Sequence, residues 1–249
     1  MKVIQVAGLS GSGKTTFIRT LIPLLARLGP VGTVKHIGHH AMKIPEGKDT
    51  TVMLEAGAEA VAGIDQEKTI ITLKNASLAD ALDTLAGRGI AFAVVEGYKS
   101  GPLPKIAIGD VDVEACILRN PEPEEVIRTL DRFPAYFTLA GILQEPREAG
   151  GVDKKSVHLA ASIVLHPAER GEVNFSDLRR ELTRITQSVQ DLPGIIAARV
   201  VIQQGALFGR RDELLIAAVG ENGNVAAAAL IQIFSRSREL LESLGIDLH

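Results

Sequence analysis

The sequence predicts an α/β fold, a mostly parallel sheet flanked by helices, followed by a smaller C-terminal α+β unit. Three observations carry this. Apolar strand-like runs alternate with helical spacings over the first 130 residues, residues 90–95 are almost continuously apolar as in a strand covered on both faces, and the alternation changes character near residue 134.

Residues 2–7 form the first strand candidate and end in Gly8. Phe17, Ile18, Leu21, Leu24, Leu25 and Leu28 then recur at helical spacing, until Gly29-Pro30 stops that helix. Residues 31–37 follow as a second strand, and residues 38–50 read as a loop rich in His, Gly and charge. Asp49 or Thr50 caps a short helix that Gly57 ends. Residues 60–64 and 69–73 are two strands joined by a polar turn, and Leu78, Leu82 and Leu85 mark an amphipathic helix. After the strand at 90–95, residues 105–108 and 115–118 supply two more, and residues 122–131 a final helix. We place a domain boundary near residue 134, giving units 1–134 and 135–249. In the second unit the pattern predicts strands at 136–143, 156–165, 197–203 and 213–219, with helices at 176–188 and 224–244.

Composition narrows the function. With 27 basic against 30 acidic residues, the formal charge of −3 gives no overall drive toward nucleic acid or an anionic membrane, so phosphate recognition must be local. The start of the chain lacks an apolar leader, and the apolar stretch 225–234 is about half of the roughly 20 residues a membrane-spanning helix needs. The expectation is a soluble, cytoplasmic protein. A single cysteine, Cys116, excludes an internal disulfide framework, and its run Ala115-Cys116-Ile117-Leu118 predicts a buried strand thiol.

The chemistry concentrates in Gly8-Leu9-Ser10-Gly11-Ser12-Gly13-Lys14-Thr15, which fits G-x-x-x-x-G-K-[ST] between a strand and a helix. Gly8, Gly11 and Gly13 let the main chain wrap a phosphate. Ser10 and Ser12 add their N–H groups, and the following helix adds its positive end. Lys14 is expected at the β- and γ-phosphates, Thr15 as a Mg²⁺ ligand and Thr16 beside the α-phosphate. Such a site also needs a carboxylate at the end of a buried neighbouring strand, and Glu96 after Ala91-Phe92-Ala93-Val94-Val95 provides it. Asp49 is either a second carboxylate of the metal shell or a helix cap. The catalytic candidates are therefore Lys14, Asp49 and Glu96, and the metal candidates Thr15, Asp49 and Glu96. His36, His39 and His40 either face the nucleotide or a delivered substrate, bind a transition metal, or stand idle on a loop. Lys99 and Lys105 flank a Gly-Pro turn and either face the same site or solvate a loop.

In these segments and in their order, the chain resembles the molybdopterin-guanine dinucleotide biosynthesis protein B (MobB) family over residues 1–130. The phosphate loop, Lys35-His36 with His39-His40, Gly47-Lys48-Asp49-Thr50, Ala56-Gly57-Ala58, Val95-Glu96-Gly97-Tyr98-Lys99 and Pro104-Lys105-Ile106 carry the likeness. That family tends to carry an arginine near Gly109-Asp110, where this chain has none. The resemblance implies a P-loop fold, GTP with Mg²⁺, slow GTPase activity and homodimerisation. It further implies an adaptor role beside the molybdenum cofactor guanylyltransferase and other molybdopterin-processing enzymes. An ATP-dependent small-molecule kinase and a metallochaperone-type GTPase are the alternatives. Residues 202–219 more distantly resemble the large subunit of molybdopterin synthase (MoaE), with Gln203-Gln204 where that family has His-Arg and no counterpart of its Lys-rich, Trp-containing segment. The implied role is a degenerate domain that mediates assembly or holds molybdopterin.

Overall fold

In a computed structural model, the apolar strands of the first half stack into a five-stranded sheet in the order β2-β5-β1-β6-β7, every neighbouring pair parallel. The strands are β1 (Lys2–Gly8), β2 (Val31–Lys35), β5 (Phe92–Glu96), β6 (Lys105–Ile108) and β7 (Cys116–Arg119). The structure describes residues 1–38, 49–74, 76–148, 156–167 and 174–248.

Both faces of this sheet are covered, because side chains alternate across a strand. Ile4, Val6 and Val94 join Ile18, Leu21 and Leu25 of α1 (Lys14–Ala26) and Val126 of α4 (Pro123–Arg128) on one face. Val3, Ala93 and Val95 join Leu82 and Ala86 of α3 (Leu78–Ala86) on the other. A capping box between Ser77 and Asp80 starts α3. The short helix α2 (Asp49–Glu55) leads to a separate antiparallel hairpin of β3 (Ala60–Ile64) and β4 (Thr69–Leu73).

Past residue 134 a second sheet forms from β8 (Val157–Pro167), β9 (Ile195–Gln203), β10 (Glu213–Gly220) and β11 (Ile246–Leu248). Its order is β11-β8-β10-β9 and its pairs are all antiparallel. Helices α6 (Phe175–Gln190) and α7 (Gly223–Ser243) cover one face through Leu178, Leu182, Ala229 and Ile233 against Val200, Ile202, Leu214 and Ile216. The opposite face is covered by α5 (Leu139–Glu148), whose Leu139, Ile142 and Leu143 meet Leu215 and Ala217.

Several expectations change here. The predicted strand at 136–143 is instead an extended lead into α5. Leu139, Ile142 and Leu143 follow the i, i+3, i+4 spacing of a helix stripe, and Thr138 Oγ1 accepts from Gly141 N at 3.0 Å within its first turn. Cys116 is exposed, not buried, because β7 is an edge strand and its Sγ reaches only the Leu118 carbonyl at 3.3 Å. The strand β11 was not foreseen at all.

The two sheets meet along Ala135–Thr138. Val3 N donates to Pro134 O at 3.0 Å and Tyr136 N to Met1 O at 2.8 Å, so this segment runs beside the start of β1. Arg210, between β9 and β10, reaches Asp80 at 3.0 Å and Asp83 at 2.7 Å on α3, and Phe208 packs edge-on against Tyr136.

Candidate functional site

The parallel sheet puts the carboxyl ends of β2, β5, β1 and β6 side by side, where ligands of open α/β sheets bind. The turn from β1 into α1 lies there. Ser10, Gly11, Ser12, Gly13, Lys14, Thr15, Thr16, Lys35 and Glu96 together line a cleft of about 340 Å³.

Gly8 enters this turn under tight restraint. A Cβ on it would stand 2.4 Å from the Ile108 carbonyl oxygen and 2.6 Å from Ser12 Oγ, so only glycine lets β1, β6 and the loop converge. Gly13, in the left-handed region, is the N-cap of α1 and offers no side-chain cap, and no acidic residue follows in the first turn. The orphan N–H groups and positive end of the helix therefore face the cleft with no acidic residue of the helix's own first turn to offset them. Ser12 Oγ is buried and has no hydrogen-bond partner in the protein. Lys14 Nζ folds across the loop to the Leu9 carbonyl at 2.5 Å, and Thr15 and Thr16 stand exposed on the cleft side.

Glu96 closes the other wall. Thr15 Oγ1 lies 3.5 and 3.3 Å from its two carboxylate oxygens, and Lys35 Nζ 3.5 Å from Oε1. The main chain at and after Glu96 is anchored from both neighbouring strands, β1 and the end of β2. His36 N donates to Glu96 O at 2.9 Å, Gly97 N donates to Val6 O at 3.0 Å, and buried Gln5 donates through Nε2 to Gly97 O at 2.8 Å and also to Tyr98 O. His36 stacks on Tyr98 with ring centroids 4.0 Å apart, and Gly97, at φ 111, sits against His36 where a Cβ would be 2.8 Å from its Cβ.

A hydroxyl and a carboxylate side by side are the hard oxygen donors that Mg²⁺ prefers, and a ring of main-chain N–H groups with one ammonium suits a polyphosphate. The residues present thus fit both groups. The structure brings together Gly8, Ser10, Gly11, Ser12, Gly13, Lys14, Thr15, Thr16 and Glu96. Asp49 stands exposed at the start of α2 and is not among the cleft-lining residues. His39 and His40 lie outside the described residues, and no cluster of three His, Cys, Asp or Glu side chains occurs among the described ones. Lys105 leaves the site altogether. It is fully buried, with Nζ donating to the carbonyls of Gly101, Leu103 and Glu114 at 2.6, 2.9 and 3.1 Å, and burial pulls its pKa below the usual lysine value. Lys99 is exposed on the loop after β5. Gln5 carries no mark in the sequence, and Lys35 enters it only within the Lys35-His36 likeness, with no site role. Lys35 ends β2 in register with Glu96, a relation visible only once the strand order is known.

With this geometry in view, the comparisons with known proteins are decisive for family. A family model described as molybdopterin guanine dinucleotide synthesis protein B (MobB) matches residues 3–128. The chain belongs to the MobB family. It is 36% identical over 143 residues to the "Molybdopterin-guanine dinucleotide biosynthesis adapter protein" of Haemophilus influenzae, covering 51% of this chain and 79% of that protein. A "Probable molybdopterin-guanine dinucleotide biosynthesis adapter protein" of Bacillus subtilis is 33% identical over 113 residues, covering 43% of this chain and 64% of its own length. The crystal structure of Bacillus subtilis MobB aligns with 54% of this chain and 99% of its own at 22% identity and a TM-score of 0.43. The family match ends before the second sheet begins, so the MoaE resemblance of residues 202–219 is not carried by it. No helix among the described residues is long and apolar enough to cross a membrane.

Proposed function

We propose that this MobB-family chain binds GTP with Mg²⁺ in the P-loop cleft and hydrolyses it slowly, as an adapter beside the enzyme that joins GMP to molybdopterin in the cytoplasm. The observation that carries the reading is the uncapped N-terminus of α1 wrapped by the Gly8 to Gly13 turn, with the Thr15 and Glu96 oxygens next to it. The GTP anion supplies the scissile phosphoanhydride, and Mg²⁺ would be held by Thr15 and Glu96. The main-chain N–H groups of Ser10 to Thr15 hold the phosphate oxygens, and Lys14 exchanges its Leu9 carbonyl for them. Lys35 offsets the charge of Glu96 and fixes its orientation.

Slow turnover follows from what the cleft offers. Among the described lining residues Glu96 is the one carboxylate, already engaged by Thr15 and Lys35, and none of those described residues is a histidine that could orient water. Guanine in preference to adenine rests on family membership, because the chain has no Asn-Lys-x-Asp segment. We assign nucleotide binding to residues 1–134 and partner contact to both units. Homodimerisation would use the hairpin face that carries Ile64, Ile71 and Leu73, which are 79%, 47% and 43% exposed. A two-stranded hairpin is marginal in water without such cover.

Calorimetric titration of GTP and ATP with Mg²⁺ tests the reading. Saturable GTP binding is expected that Lys14→Ala abolishes with little change in melting temperature, since the ammonium makes only the Leu9 contact. Equal affinity of wild type and Lys14→Ala, or a variant that loses its fold, overturns it.

A further inference from the structure

Lys35 and a divalent cation seek the same carboxylate. The Lys35 ammonium stands 3.5 Å from Glu96 Oε1, while Thr15 Oγ1 lies 3.5 Å from Oε1 and 3.3 Å from Oε2. A metal ion drawn to the Thr15 and Glu96 oxygens therefore meets an ammonium already there. Two cations a few ångströms apart repel, and the divalent one holds the carboxylate more strongly. The ion pair is also easily given up. It is longer than the about 2.7–2.9 Å of a charge-assisted hydrogen bond, and the Lys35 side chain is 61% exposed, so the pair adds little to folding.

The order of the strands says where the ammonium goes. β2, β5 and β1 lie side by side, with neighbouring strands about 4.8 Å apart. Lys35 ends β2 in register with Glu96 at the end of β5, and the phosphate loop leaves the end of β1. Mg²⁺ bridges the last two phosphates of a nucleoside triphosphate, so metal donors at Thr15 and Glu96 turn the terminal phosphate toward β5 and β2. That is the side from which Lys35 enters. Among the described residues lining the cleft, Lys14 and Lys35 are the cations, and Lys14 comes from α1 on the loop side. The exchange needs no main-chain movement. His36 N donates to Glu96 O at 2.9 Å and holds the end of β2, while the flexible lysine stem turns.

We propose that Lys35 reads the terminal phosphate: it holds Glu96 in the free protein, then yields the carboxylate to Mg²⁺ and pairs with the terminal phosphate oxygens when the triphosphate enters. The proposal rests on the nucleotide reading of the cleft and adds to it a discrimination of triphosphate from diphosphate. Every charge stays paired in both states, Lys35 with Glu96 before and with phosphate after. A Lys35 that instead stayed on Glu96 and oriented it for the metal would have the opposite effect on metal demand.

Calorimetric titration of GTP and of GDP over a series of Mg²⁺ concentrations, into the full chain and its Lys35→Met variant, decides between the two roles. Methionine keeps an unbranched stem and removes the charge. The variant is expected to need less Mg²⁺ for half-maximal enhancement, because the competing cation is gone. At saturating Mg²⁺ it should bind GTP roughly tenfold more weakly and GDP about as wild type does, with an unchanged melting temperature. A variant that needs more Mg²⁺, that loses GTP and GDP alike, or that still prefers GTP as wild type does overturns the exchange. So does a large fall in melting temperature, which makes Lys35 a structural residue. Inorganic triphosphate, which has no base, separates this proposal from the nucleotide reading. Its binding to wild type with the same dependence on Lys35, where GTP fails to bind, counts against the nucleotide reading alone, and a wild type that binds neither overturns both.

Discussion

Replacing Glu96 by Gln separates the electrostatic role of this side chain from its structural one. The amide keeps the shape of the carboxylate, so Thr15 and the main-chain anchors of residue 96 retain their partners, and only the charge is removed. The bare attraction between Glu96 and Lys35 at 3.5 Å is about 5 kcal/mol at an effective dielectric of about 20. Lys35 is 61% exposed, however, and an exposed pair nets about 0–1 kcal/mol, which shifts the melting temperature of a chain this size by only about 2–4 °C. The effect on metal is larger. Groups that orient or support a metal site typically change affinity by about 10–100-fold when altered, or about 1.4–2.7 kcal/mol. GTP titrated calorimetrically over a series of Mg²⁺ concentrations should therefore need roughly 10–100-fold more Mg²⁺ for half-maximal enhancement in Glu96→Gln. Metal-free GTP binding should hold or tighten, because one negative charge has left the phosphate cleft. An unchanged Mg²⁺ midpoint would remove Glu96 from the metal shell, and a large fall in melting temperature would make it a structural residue instead.

Tyr136 couples seam stability to alkaline pH. Burial, then the hydrogen bond to Asp83, raises its pKa well above the usual tyrosine value. The unfolded chain therefore loses this proton first, near pH 10, and stability falls as pH climbs beyond it. Tyr136→Phe should cost about 1 kcal/mol near neutrality and flatten that alkaline decline, as read from urea unfolding across pH. An identical decline in the variant refutes the assignment. For the hairpin, Ile71→Lys places a charge on the face shared with Ile64 and Leu73. Sedimentation should show a dimer converted to a monomer that still binds GTP. A wild-type monomer, or an Ile71→Lys dimer, rejects that surface as the interface.

What the sequence discloses depends on whether the information is local. The P-loop is contiguous and its context is one strand and one helix, so Gly8 to Thr16 could be read directly. The apolar run before Glu96 marked a strand buried on both faces, and the structure places it between β2 and β1. Where neighbours decide, the reading failed. Ala115 to Leu118 has the composition of an inner strand, yet β7 pairs on one side only and leaves Cys116 in solvent. Residues 136–143 carry apolar groups compatible with either period, and it is the open face of the antiparallel sheet at Leu215 and Ala217 that selects the helix. From the sequence, Lys105 either faces the phosphate site or solvates the loop beside the Gly-Pro turn. Its ammonium is instead folded into three carbonyls that the chain supplies only after Gly101, Leu103 and Glu114 have been brought around it.

The candidate site shows the same division between residue type and placement. Glu96 is legible as a strand-end carboxylate, but its position comes from three other places: Val6 through Gly97, Gln5 through Gly97 and Tyr98, and Lys35 through the register of β2 with β5. Gln5 carries the most weight among these, because a polar side chain in the middle of the innermost strand costs stability unless it is paired. Its amide is spent on fixing the turn that follows Glu96. That turn in turn seats His36 against Tyr98, at the point where the chain leaves for residues 39–48. The wall of the cleft is therefore set by the sheet core and not by the loop that carries the motif. It follows that substitutions at Glu96 act on charge within a preformed cleft, whereas loss of the Gln5 amide would displace the carboxylate itself.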